Sequence, residues 1–160
     1  MGKKRTFREF KQGIFTPKNK SKCLNKTLPV FRSGLESQLM VILDSNPNVV
    51  KWSSESIVLP YFKKTENRMA RYFVDFYFAI KIGEEIKEYI VETKPSNQTV
   101  LKEYSSRAKP STVAYAAIEF SNNQCKWEAA KKWCQEQTKK GRKIDFLIIT
   151  EKNIDQIIGK

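Results

Sequence analysis

Residues 72–82 constrain the fold of this chain more than any other segment. They read YFVDFYFAIKI and consist almost wholly of aromatic and aliphatic side chains, the composition typical of a central β-strand. A second segment of this kind, residues 88–94 (EYIVETK), follows Gly83-Glu84-Glu85, a sequence that favours a turn. The two segments therefore predict an antiparallel hairpin at the centre of a sheet.

Helices and further strands are predicted on both sides of this hairpin. Apolar residues at 35, 39, 42 and 43 have helical spacing, with Ser33 as N-cap and Glu36 as its capping-box partner. The other predicted elements are strands at 56–62 and 144–150, helices at 112–120, 126–139 and 152–158, and a polar loop at 96–111. This order predicts an α/β domain with a mixed sheet of about four strands flanked by helices.

The positive charge of the chain is concentrated near its N-terminus. The net charge is +13, and residues 1–32 hold ten of the 30 basic residues but only one acid. We interpret residues 1–32 as a basic extended arm and residues 33–160 as the folded domain. A charge balance of this kind indicates a polyanionic partner, in the first place nucleic acid.

Several basic residues are candidates for contact with phosphates. Those in the arm are Lys3, Lys4, Arg5, Arg8, Lys11, Lys18 and Lys22, and those beside the predicted hairpin are Arg68 and Arg71. The alternatives are a solubilising tail, or docking on a protein partner, for the arm, and simple solvation for the two arginines.

The absence of histidine excludes several classes of active site. Without His, the chain cannot use Ser-His-Asp or Cys-His catalysis, or the usual zinc sites. Its three cysteines have no metal-ligand spacing, which favours free thiols in a reducing compartment. Neither a membrane-spanning run nor a secretory signal is expected.

Asp75 is unusual because it is a carboxylate within an aromatic strand. A period of two places it on one face with Tyr77, while Glu92 and Lys94 share a face of the partner strand. If these faces meet, two carboxylates and an ammonium converge in a grouping that suits Mg²⁺. The alternative is a buried structural salt bridge with Lys94.

The same residues carry a resemblance to known nucleases. Asp75 followed by Glu92-Thr93-Lys94 resembles the PD-(D/E)xK signature, with Val74 in the position of its usual proline. Further matching segments occur in order at residues 13–19, 31–36, 52–55, 58–61, 71–76 and 91–95, then at 122, 126–127, 129–130, 141 and 149–151. Over about residues 13–151 the chain resembles the head-completion nucleases of contractile-tailed phages, relatives of the TnsA-type transposon-end endonucleases.

This resemblance implies a restriction-endonuclease-like core and a role for each site residue. Asp75 and Glu92 would hold Mg²⁺, or Mn²⁺ as a substitute, and the Thr93 carbonyl would be an extra ligand. Lys94 would orient the attacking water or neutralise developing charge. Glu36 would be an additional acid beside the metal, and its alternative is a helix cap. The implied reaction is hydrolysis of phosphodiester bonds in double-stranded DNA.

The resemblance also implies a biological setting. The enzyme would process packaged DNA before tail joining, in the virion head or neck or in the host cytoplasm during assembly, with phage head, portal or neck proteins as partners. One alternative is a structural head or neck component in which catalysis is minor or absent. Another is a basic nucleic-acid-binding protein with no link to phages.

Overall fold

The computed structural model describes residues 12–158. Two short 3-10 turns, at Lys64–Glu66 and Ser96–Gln98, accompany the regular elements. The strands and helices are β1 (Gly13–Ile14), β2 (Val30–Phe31), α1 (Gly34–Ser45), β3 (Val49–Ser54), β4 (Val58–Lys63), β5 (Arg68–Phe73), β6 (Phe76–Ile82), β7 (Glu85–Thr93), α2 (Pro110–Lys139), β8 (Ile144–Ile149) and α3 (Ile154–Ile158).

A four-stranded mixed sheet is the centre of the fold, which confirms the predicted α/β class. Its order is β3-β6-β7-β8, and only β8 runs parallel to its neighbour. The membership differs from the prediction because β4, the predicted strand at 56–62, pairs with β5 in a separate two-stranded ribbon. Strand β3, and not β4, is the fourth strand of the central sheet. The sequence of β3, VVKWSS, lacks the regular apolar alternation by which a strand is recognised.

The predicted strand at 72–82 is wrong as a single element, because it is interrupted at Val74 and Asp75. The interruption has its own hydrogen bonds: Val74 donates its N–H to the Ile57 carbonyl (2.9 Å), and Glu55 donates its N–H to the Asp75 carbonyl (3.0 Å). Here the chain leaves the ribbon and enters the central sheet. The hairpin itself is confirmed, and Gly83, with φ of 61°, forms its turn.

The central sheet separates two hydrophobic cores. Phe76 and Phe78 face the core that includes residues of α1, whereas Tyr77 and Ile90 face the core that includes residues of α2 and of the ribbon. Alternation along β7 places Glu92 on the same face as Ile90. The C-terminal end of β7 therefore directs its acid toward the side of the sheet that α2 and the ribbon cover.

Helix α2 is one helix, Pro110–Lys139, where the sequence predicted two. Its first ten residues are exposed except for the half-buried Ala116, and its buried residues begin at Asn122. The helix thus starts as a projection from the body beside the loop after β7. It ends near Gly141, whose φ of 93° matches the predicted helix stop. Within residues 12–158, no helix is both long and apolar enough to cross a bilayer.

The segment from residue 12 to residue 32 packs against the body, so the predicted boundary after residue 32 does not separate these residues from the domain. Leu24 donates its N–H to the Trp52 carbonyl, and Trp52 donates its N–H to the Lys22 carbonyl, each at a distance of 2.9 Å. The ring of Phe15 packs edge-on against that of Trp52 at 5.8 Å between centroids. This segment therefore covers the outer edge of β3. The predicted contacts Lys3, Lys4, Arg5, Arg8 and Lys11 lie outside the described residues.

Candidate active site

Asp75 lies at the crossing between ribbon and sheet, next to the end of β7. Its Oδ2 accepts two hydrogen bonds from Thr93, one from the N–H (2.8 Å) and one from the hydroxyl (2.9 Å). The structure thereby brings together the two strand ends that carry the candidate acids. Thr93, named from the sequence only for its carbonyl, fixes the orientation of the Asp75 carboxylate.

Glu92 is buried, with 5% of its surface exposed, and two side chains contact it. Tyr72 donates its hydroxyl to Oε2 at 2.6 Å, and the Lys94 Nζ lies 3.5 Å from Oε1. The Lys94 side chain remains 24% exposed, so its ammonium lies at the boundary between the acids and solvent. The ion pair of the structural alternative is therefore present, between Glu92 and Lys94.

The electrostatics of the site disfavour a second negative charge. Burial first, and then the charge of Glu92, raise the pKa of Asp75 to about 7, against the lowering effect of the two Thr93 hydrogen bonds. Burial and the same Glu92 charge raise the pKa of Tyr72 far above its usual value, so its hydroxyl remains a donor. A bound cation would relieve the repulsion between the two acids.

Glu36 both caps α1 and lies within electrostatic range of the site. It donates its N–H to the Ser33 Oγ (3.1 Å), and its Oε2 accepts the Arg32 N–H (2.7 Å), so the capping alternative is observed. Burial raises the pKa of Glu36, and the charges of Glu55 and Glu92 act in the same direction. Its carboxylate therefore caps α1 and acts on the other two acids through its charge.

The donor set of the site fits a hard divalent cation. Both Thr93 hydrogen bonds go to Oδ2 of Asp75, which leaves Oδ1 without one in the described part of the chain. No group of three or more Asp, Glu or Cys residues there is arranged to hold a metal ion. Two carboxylates, completed by water and by oxygens of a bound phosphate, form the shell that Mg²⁺ prefers.

Two of the predicted phosphate contacts in the arm, Lys18 and Lys22, lie within the described residues, and their surroundings differ. Lys18 is exposed, and among the described residues its one hydrogen bond is from the backbone N–H to Asp44, at 2.9 Å. The ammonium of Lys22 donates to the carbonyls of Asp44 (3.2 Å) and Asn46 (2.7 Å). These carbonyls lie at the C-terminal end of α1, where a cation is stabilised. Lys22 therefore caps a helix.

The two predicted arginines of the ribbon also have partners. Arg68 forms an ion pair with Glu66 at 2.5 Å, and the guanidinium of Arg71 lies 5.6 Å from the centre of the Phe73 ring. Both arginines are exposed. Their contacts leave part of each guanidinium accessible to solvent.

Sequence reasoning missed how two residues hold the site in place: Tyr72, and Glu55, which matched the family pattern without a defined physical role. Tyr72 was interpreted only as part of a strand, although a tyrosine in an apolar strand needs a partner for its hydroxyl when it is buried. Glu55 has a left-handed backbone, with φ of 53°, which is uncommon for a residue other than glycine. Its N–H is bonded to the Asp75 carbonyl, and its side chain pairs with Arg32. Its backbone therefore fixes the crossing that presents Asp75.

A mixed sheet that presents an aspartate, a glutamate and a lysine at one end is consistent with the restriction-endonuclease-like class. The TnsA-like endonuclease N-terminal family matches residues 46–151. The chain therefore belongs to the TnsA-like endonucleases and is an endonuclease. The head completion nuclease of Enterobacteria phage T4 is 32% identical over 148 residues, which cover 87% of this chain and 90% of that protein. The resemblance inferred from the sequence is confirmed. Nucleases of this family generally depend on a divalent metal ion.

Proposed function

We propose that this endonuclease hydrolyses phosphodiester bonds of double-stranded DNA with Mg²⁺, for which Mn²⁺ can substitute. The observation that carries the proposal is the pair of acids, the half-buried Asp75 and the buried Glu92, with the partly exposed Lys94 beside them. When bound, the metal ion would lower the pKa of a water molecule and stabilise negative charge on the phosphate. The chain itself supplies the orientation of the ligands.

In each carboxylate of the site, one oxygen accepts hydrogen bonds and the other accepts none from the described residues. Thr93 holds Oδ2 of Asp75, and Tyr72 holds Oε2 of Glu92, so Oδ1 and Oε1 remain for the cation. Lys94 lies next to Oε1, where its ammonium can bind a phosphate oxygen or orient the attacking water. We assign the Thr93 carbonyl as an extra ligand and Glu36 as an additional acid.

The most direct test compares site variants with controls on neighbouring strands. Asp75→Asn and Lys94→Ala are expected to lower DNA cleavage in Mg²⁺ about 100-fold or more, since each removes a group that acts on the reacting phosphate. Asp145→Asn and Lys87→Ala are matched controls, because these two residues form an exposed ion pair with each other at 3.0 Å. Circular dichroism and thermal unfolding would show that all four variants are folded.

The test distinguishes residues that are needed for cleavage from residues elsewhere on the surface. Loss of cleavage in the two site variants with retention in the two controls would support the proposal. Cleavage at the wild-type rate by either site variant would overturn the assigned roles. Wild-type cleavage that persists in EDTA would overturn the metal requirement.

We further propose that the enzyme acts in head completion, on packaged DNA before the tail joins. The support is the T4 relative, which is named a head completion nuclease and 90% of whose length aligns with this chain. The setting would be the virion head or neck, or the host cytoplasm during assembly, with head, portal or neck proteins as partners. Heads filled in the presence of Asp75→Asn protein should retain unprocessed DNA ends and fail to accept tails. Normal tail joining in such heads would contradict this role.

A structural role in the head is the second candidate, and one observation favours it. The outer face of the β4–β5 ribbon exposes two apolar cross-strand pairs, Val58 (42%) with Phe73 (48%) and Phe62 (46%) with Met69 (60%). The pair between them is Pro60 and Arg71, and the Arg71 guanidinium lies over the Phe73 ring. Exposed apolar side chains grouped in this way are typical of a surface that binds protein. A Phe62→Ser, Met69→Ser double variant should cleave DNA normally but no longer join the head. Normal incorporation of this variant would exclude the ribbon face as the contact.

A further inference from the structure

A cleft of about 320 Å³ lies beside the active site and shares Lys94 with it. Its walls come from the loop after β7 and from the projecting first part of α2. This volume is at the lower end of the range of small-molecule sites, about 300–1,000 Å³. The cleft is therefore too small for a double helix and has the size of a site for one planar group.

Apolar side chains of the cleft are exposed to solvent. Val100 is 64%, Leu101 55% and Tyr115 67% exposed, and all three line the cleft together with the half-buried Phe120. Three exposed apolar side chains and a half-buried one, next to the proposed catalytic lysine, indicate a surface that a ligand covers. The two aromatic rings provide flat faces on which another planar group can stack.

The cleft also has a polar group in its lining. Asn123 has 8% of its surface exposed, and its amide is not among the described buried side-chain N and O atoms that lack a partner, so it keeps access to the cleft. Its donors and acceptors are therefore open to water or to a ligand in the cleft. Gln98, on the loop side of the cleft, offers a second amide. Each amide can both donate and accept.

Apolar walls with two amide groups match the chemistry of a nucleobase. A base has two apolar faces for stacking and a polar edge that combines donors and acceptors. Lys94 and Lys102 also line the cleft and can neutralise the phosphates on either side of such a base. Because Lys94 belongs to the site that would cut the strand, the base in question is the one next to the scissile phosphate.

We propose that this cleft binds one unpaired nucleobase of the strand being cut. The enzyme then prefers DNA that carries a bulged, mismatched or single-stranded nucleotide beside the scissile phosphate. This inference rests on the proposed function and adds a substrate class to it. A base in a regular duplex must leave the stack before it can enter the cleft, and this unstacking costs least for an unpaired base.

The test measures DNA binding in EDTA, so that it does not depend on cleavage. The probes are a paired duplex, the same duplex with a one-nucleotide bulge, and the same bulge with an abasic residue in place of the base. Wild-type protein should bind the bulge at least about 10-fold more tightly than the other two probes, since an unpaired base avoids most of the unstacking cost. Because an abasic bulge distorts the backbone without supplying a base, it separates recognition of the base from recognition of a bend.

Two variants of the cleft and one matched control complete the experiment. Tyr115→Ala should lower affinity for the bulge by about 5- to 100-fold, the range for the loss of one stacked base, and leave affinity for the paired duplex unchanged. Asn123→Ala should weaken discrimination between different bases in the bulge. Ile118→Ala is the control, because this residue is on the same helix, 48% exposed and outside the cleft. It should behave as wild type.

Equal affinity of wild-type protein for the bulged and the paired duplex would overturn the proposal, as would equal affinity for the abasic and the complete bulge. An unchanged preference in both Tyr115→Ala and Asn123→Ala would assign the preference to another surface and also overturn it. Failure of the proposed function gives a different result, because wild-type protein would then leave all three probes uncut in Mg²⁺ and Mn²⁺ whatever its affinities in EDTA.

Discussion

Replacement of Asp75 by asparagine should stabilise the metal-free protein at alkaline pH. Burial and the neighbouring charge of Glu92 raise the pKa of Asp75 from 3.8 to about 7. The folded state therefore binds a proton more tightly than the unfolded state, and the resulting stability is present at acid pH. It is lost as the pH rises through about 7. Asparagine cannot ionise, and its amide oxygen can still accept both Thr93 hydrogen bonds.

The magnitude follows from the shift in pKa. A shift of about three pKa units corresponds to about 4 kcal/mol as an upper limit, at 1.36 kcal/mol per unit. In EDTA at pH 8.5, Asp75→Asn should thus raise the free energy of unfolding by roughly 1–4 kcal/mol. For a chain of this size this corresponds to an increase of roughly 2–15 °C in Tm. The gain should vanish near pH 4, where the wild-type carboxyl is protonated in the folded state.

The assay is urea unfolding followed by tryptophan fluorescence from pH 4 to pH 9, with and without Mg²⁺. Saturating Mg²⁺ should reduce this gain by about 2.7 kcal/mol, because it binds the wild-type site and stabilises it by that amount at 100 times its Kd. The exposed Asp145→Asn is the control and should show no pH-dependent gain. If Asp75→Asn were destabilised equally at pH 5 and pH 8.5 in EDTA, the inferred repulsion between the two acids would be refuted.

Three further predictions concern the supports of the site and the basic segment. Tyr72→Phe removes the 2.6 Å hydrogen bond to Glu92. It should lower the free energy of unfolding in urea by roughly 1–3 kcal/mol and weaken Mg²⁺ binding measured by calorimetry. Unchanged metal affinity would show that Glu92 does not need this bond. Deletion of residues 2–11 should reduce DNA affinity and flatten its dependence on salt, as measured by fluorescence anisotropy. Lys22→Met should instead lower the Tm and leave the salt dependence of DNA affinity unchanged, because the Lys22 ammonium caps α1. A weaker salt dependence in Lys22→Met would show that this lysine contacts DNA.

The sequence predicts well those parts of the fold whose pattern is local. The hairpin of β6 and β7 carries its aromatic and β-branched residues and its turn in one continuous stretch, and α1 carries its own cap in Ser33 and Glu36. The assignment of strands to sheets was less predictable. Strand β3 lacks apolar alternation, and nothing in residues 72–82 marks the transfer from ribbon to sheet, because backbone hydrogen bonds to residues 55 and 57 determine it.

The candidate acids could be named from the sequence, but the residues that hold them could not. Asp75, Glu92 and Lys94 stand out because they are charged residues at the ends of apolar strands. The contacts of Tyr72 and Thr93 depend on which strand end lies beside which, and this follows from the tertiary fold. For the same reason the ammonium of Lys22 looked like a free cation, whereas the end of α1 is its partner.

The segment along the outer edge of β3 has a consequence for solubility. The backbone of residues 22–24 and the side chain of Asn25, which bonds both the N–H and the carbonyl of Ser54 at 2.8 Å, occupy hydrogen-bonding groups that a neighbouring strand would otherwise use. A sheet edge with such groups free is a template for pairing between molecules. A chain shortened from its N-terminus past residue 25 would expose that template, and we expect it to aggregate through β3 even though every residue of the active site is intact.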